Sequence, residues 1–78
     1  MNANSFCIRN KVFAMRVGED LVLKLSPKRA AELIEDGVAQ ANLVGGRAVK
    51  EWVNLPPTTQ GKWLGLARES LEYVRDRI

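Results

Sequence analysis

The side chains able to do chemistry in this 78-residue chain are few, and the most informative is missing: there is no histidine. Without an imidazole the chain lacks the usual general base near neutral pH, the usual activator of a serine or cysteine nucleophile, and the commonest metal ligand. One cysteine, Cys7, excludes a multi-thiolate zinc site. Its neighbours Phe6 and Ile8 place it in a strand-forming run, where a lone cysteine behaves as a small apolar residue more often than as a reactive thiol. The acids Glu19-Asp20 and Glu35-Asp36 are paired only in sequence. Adjacent residues in a turn or helix do not face each other as a catalytic pair of carboxylates must, so turn formation, capping and solubility explain them better. These residues predict no enzyme, no cofactor and no metal.

Binding chemistry has more candidates. Gly45-Gly46-Arg47 has the glycines of an anion-binding loop but lacks the lysine and hydroxyl residue of a phosphate loop, and a strand pattern follows where a phosphate site needs a helix. Arg47, Lys50 and Trp52 combine base and aromatic as single-stranded nucleic acid requires, with Glu51 interleaved. With Lys62 and Arg68, residues Arg47 and Lys50 form the candidate nucleic-acid set, supported by an isoelectric point near 9.4. Against it, the net charge is only +3 and the signs alternate, as in Arg68, Glu69, Glu72, Arg75 and Asp76. Trp63 sits on an apolar stripe and Trp52 on a strand, positions where core roles outweigh ligand stacking.

The elements that must position these groups form one small core. A composition of 46 % hydrophobic and 27 % charged residues is that of a folding chain. A chain of this size buries about 60 to 65 % of its unfolded surface. No disulfide can form within it, and a reducing compartment follows as the default. Apolar runs fall far short of the roughly 20 residues that span a bilayer. Met1 to Ser5 also lacks the layout of a signal peptide. The expectation is a cytoplasmic protein that does not enter a membrane.

Phe6 to Ile8 and Val12 to Val17 read as strands, with Phe13, Met15 and Val17 sharing a face by the period of two. Gly18-Glu19-Asp20 supplies a tight turn into Leu21 to Leu25, whose three leucines share a face. Ser26-Pro27 can end that strand and cap a short helix over 27 to 36, closed by Gly37. Val38 to Gly46 has no clear period; Ala48 to Leu55 reads as a strand interrupted at Glu51. Pro56-Pro57 stops it, and Thr58 or Thr59 can cap a last helix over about 59 to 77. Its stripe is Trp63, Leu66, Ala67, Leu71, Val74 and Ile78. The expected fold is α+β: a small antiparallel sheet with a short middle helix and a longer C-terminal helix packed on it, as a single domain over 1–78.

Several local strings resemble the N-terminal domain of the TfoX/Sxy family and, more distantly, MmcQ/YjbR-like proteins. They are Lys11-Val12-Phe13-Ala14-Met15, Leu21-Val22-Leu23-Lys24-Leu25, the helix ending at Gly37, Gly46-Arg47-Ala48-Val49-Lys50-Glu51-Trp52-Val53, and Trp63-Leu64-Gly65-Leu66-Ala67-Arg68-Glu69. The resemblance covers about residues 11 to 75. It implies an antiparallel sheet backed by helices and a family associated with competence regulation or loosely called DNA-binding; it implies no catalytic residue or cofactor. Such domains usually begin with a helix and a glycine-containing strand, whereas here only about ten residues precede the Phe13 strand. A missing helix leaves apolar sheet surface or a bare edge, which invites a second copy.

The expectation is therefore a non-enzymatic interaction domain that self-associates as a homodimer and binds a protein partner, the alternative being a nucleic-acid-binding accessory domain. Light scattering during size exclusion is expected to return twice the chain mass in both low and high salt, and a monomer at high micromolar concentration contradicts it.

Overall fold

The computed structural model describes residues 5–77. Five antiparallel strands form one sheet: β1 (Ser5–Ile8), β2 (Lys11–Val17), β3 (Asp20–Lys24), β4 (Gln40–Val44) and β5 (Arg47–Leu55), in the order β1-β2-β3-β5-β4. Two-residue turns join the hairpins. Arg9 and Asn10 turn β1 into β2 with φ of 49° and 67°, a left-handed conformation reached here without glycine. Gly45 and Gly46, at 59° and 82°, supply the two positive φ values that a hairpin turn matched to strand twist needs. Helix α1 (Pro27–Glu35) carries the chain from β3 over the sheet to β4, leaving a slot that β5 fills by pairing with both strands. A 3-10 turn (Pro57–Lys62) then leads into α2 (Trp63–Arg75).

Both helices lie on one face. The period of two puts Leu21, Leu23 and Leu25 on the same side of β3, and all three are buried with Ala30 and Leu33 of α1 and Leu66 of α2. Leu23 pairs with Ala14 on one side and Val53 on the other, so the buried row crosses the three central strands. Ser26 caps α1 by accepting the Arg29 amide N–H at 3.2 Å, with Pro27 preset for the first helical position. The antiparallel sheet with a short middle and a longer C-terminal helix is the expected α+β fold.

Four details differ from the sequence reading. β4 occupies the stretch without a clear period, because it is an edge strand with most of its residues exposed and has no buried face to impose one. In β2 the buried residue is Ala14, and Val17 is exposed. A bulge sets Phe6 opposite Ala14 and Cys7 opposite Val12, so Phe13 has no partner, and it packs against the helix-side core beside Ala14. Helix α2 begins at Trp63, not near 59. Thr59 caps no α-helix: its hydroxyl donates to the Pro56 carbonyl at 2.8 Å and accepts the Trp63 indole N–H at 3.2 Å. Finally, the stripe of α2 buries Leu66, Ser70 and Val74. Ile78 lies outside the described residues.

Ser70 is fully buried, and its Oγ lies 2.7 Å from the Phe13 carbonyl oxygen and 2.6 Å from that of Lys24. Its single proton serves both acceptors. Ser70→Ala leaves two buried carbonyls without that donor, so a loss of about 1–3 kcal/mol is expected as a lower urea midpoint at unchanged slope. An unchanged midpoint would show that the hydroxyl contributes nothing to stability.

Candidate functional site

The expected site residues do not converge. Arg47 is exposed at the β4–β5 turn; Lys50 flanks a depression between α1 and β5; Lys62 lies near Arg29 and Glu69; Arg68 lies beside Leu64 and Leu71 on α2. No two of them line the same depression among those described. Cys7 lies on β1 as expected but is exposed rather than packed as an apolar residue. Trp52 is half-buried, opposite Lys24 on β3, with the Lys24 ammonium 5.9 Å from its ring centroid. Among the described residues no group of three or more His, Cys, Asp or Glu side chains is placed to hold a metal, and no helix is long and apolar enough to cross a membrane.

What the fold does build is an apolar groove. The bulge turns Phe13 toward α2, and the β1 pairing brings Phe6 alongside Ala14. Trp63, Leu64 and Ala67 come from the first turns of α2, and together these residues enclose about 300 Å³. The groove continues past Leu64 and Ala67 to Leu71. Its walls stay open to solvent: Phe6 is 50 % and Leu64 75 % exposed, far from the burial that a large apolar side chain finds in a core. The charged groups lining it are Arg16 and Arg68, without an acid. The Arg16 guanidinium sits 5.2 Å from the Trp63 ring centroid, a cation–π contact that holds the arginine at the mouth. Thr59 fixes the indole from the other side. The signal in the sequence was Leu64, apolar but off the helical stripe; Phe6 and Phe13 were hidden by the bulge.

The helices are tied together behind this groove. The Arg29 guanidinium on α1 donates to both carboxylate oxygens of Glu69 on α2, at 2.9 and 3.3 Å, and also to Glu32. The Glu69 bonds hold Arg29 above its ordinary range. The pair is more than a third exposed, so it orients the helices more than it stabilises them. At the far end of α2, the Tyr73 hydroxyl donates to the Glu51 carboxylate on β5, and Arg77 lies 5.1 Å over the Tyr73 ring.

No family model matches the chain, and no curated protein or solved structure does.

The Tyr73–Glu51 bond sets a measurable titration. Chiefly through that hydrogen bond, and secondly through burial, Tyr73 ionises above its ordinary value of 10.0, with Arg77 opposing. The bond's contribution to stability is thus complete below about pH 10 and is lost as pH rises through the folded-state value. Because Tyr73 is the only tyrosine, ultraviolet absorbance reads it directly. Glu51→Gln is expected to lower the midpoint toward 10; an identical midpoint in both proteins would break the assignment.

Proposed function

We propose that this domain acts by association and not by catalysis: it self-associates, and it receives an apolar segment of a protein partner in the groove between β2 and α2. The observation that carries the reading is the open groove of Phe6, Phe13, Trp63 and Leu64 with only arginines as charged lining. An apolar anchor leaving water contributes about 25 cal/mol per Å² of surface it buries. The charge at the mouth selects what flanks the anchor. Arg16 and Arg68 favour a segment bearing Asp or Glu beside its apolar residues. Two copies of this groove face to face would oppose arginine to arginine, so the partner here is another chain and self-association belongs elsewhere on the surface.

The absence of histidine supports the non-catalytic reading. The resemblance to the TfoX/Sxy N-terminal domain fits an accessory protein of this kind. The nucleic-acid alternative has less support, because Lys50, Lys62 and Arg68 line separate depressions and Arg47 lies apart at the β4–β5 turn.

Two synthetic peptides with the same Leu and Phe anchors, one flanked by Glu and one by Lys, separate the possibilities by NMR titration. The Glu peptide is expected to shift the Trp63 indole and Leu64 methyl resonances, with an affinity that falls as salt rises. Leu64→Glu is expected to weaken it about tenfold or more, the effect of losing a central apolar contact. Equal binding of both peptides, or of neither at millimolar concentration, rejects the groove as the partner site.

A further inference from the structure

β4 is an edge of the sheet, and its sequence Gln40-Ala41-Asn42-Leu43-Val44 contains none of the charges or prolines that usually protect an edge. Its pairing with β5 is irregular: Ala41 faces Val53, while Asn42 faces Val49. The three additional residues, Lys50 to Trp52, all lie on β5, so β4 itself runs unbroken. In a hairpin closed by two residues, the flanking pair Val44 and Arg47 exchanges hydrogen bonds, and so does Asn42 with Val49 two residues on. Leu43, between them, turns its N–H and C=O outward. Its side chain is 63 % exposed and that of Val44 64 %.

The flank of this edge is apolar apart from Lys50. Ala30 and Leu33 of α1 face the core and Arg29 faces α2, while Pro27, Ala31 and Ile34 border a depression of about 260 Å³ with Ala41, Ala48 and Val49.

Building on the self-association proposed above, we infer that a second copy of this chain occupies the edge, β4 pairing antiparallel with its counterpart about a two-fold axis normal to the sheet. The two five-stranded sheets then become one, with all helices on one face. The uncharged strand meets itself without like charges opposite one another. The same axis runs α1 antiparallel to its copy. Because α1 lies over β5 and β4, the two helices stand about three strand spacings apart, roughly 14 Å at about 4.8 Å each. Under this axis the outward N–H and C=O of Leu43 meet the C=O and N–H of its counterpart, the exchange made by an antiparallel hydrogen-bonded pair.

Leu43→Pro is the decisive variant. It removes an outward N–H that the chain's own ladder does not use. The wild type is expected to give a dimer by light scattering, and L43P a folded monomer, judged by circular dichroism, with association weakened at least tenfold. A folded L43P that dimerises as tightly as wild type overturns this interface while leaving self-association standing; a wild-type monomer at high micromolar concentration overturns both. If L43P fails to fold, hydrogen exchange on wild type decides: the Leu43 amide is protected when its N–H is paired across the interface, and fast exchange at dimer-forming concentration rejects the pairing.

Discussion

Just past the last β2–β3 pair, Ala14 with Leu23, and beside the bulge of β2 against β1, two backbone carbonyls, those of Phe13 and Lys24, face the helix layer. An unmet buried carbonyl is costly, and an apolar helix has nothing to offer it. Ser70 resolves this with one hydroxyl at the middle of α2. Because a hydrogen bond is directional where apolar contact is not, it fixes the height and rotation of the helix above the sheet. Leu66 and Val74, one turn either side, then fall into the core, and Trp63, Leu64 and Ala67 fall beside Phe13 to form the groove. The groove thus depends on two features: the bulge, which aims Phe13 at the helix, and the Phe13 and Lys24 carbonyls, which position the helix.

A second irregularity works at the other end of the sheet. The extra residues Lys50 to Trp52 let β5 remain paired with β3 while its hairpin continues beyond: the Glu51 carbonyl accepts the Leu25 N–H at 2.9 Å, and the Glu51 side chain accepts from Tyr73. An acid in the middle of a strand is thereby explained by its two partners, one on β3's extension and one on α2. Because all three extra residues lie on β5, β4 itself carries no insertion.

Much of this architecture was legible in the sequence because local rules and burial agree. Leu21, Leu23 and Leu25 alternate because one face is core; Ser26-Pro27 starts a helix by its own chemistry; Pro56-Pro57 ends a strand for want of N–H groups. The misses occur where tertiary contacts overrule the period. Phe13 breaks alternation through a bulge that no residue type announces, and β4 has no period because an exposed edge imposes none. Ser70 looks like an ordinary polar helix residue until the two carbonyls beneath it are known. The site was illegible for the same reason: the basic residues that sequence grouped are dispersed, and the groove draws on β1, β2 and α2, which are brought together only by the fold.

The strand order has a consequence for how the sheet assembles. β1 to β3 form by two hairpins and β4 with β5 by another, all local, whereas the β3–β5 seam joins residues about thirty apart across α1. Before that seam closes, each half carries a naked inner edge of Leu- and Val-rich strand, matched to the other half and equally to the other half of a neighbouring molecule. Closure within one chain wins because α1 keeps its two halves at high effective concentration. Lengthening or loosening the α1 connection would lower that advantage, and the exchange of β4, β5 and α2 between chains is the misassembly that this topology holds in check.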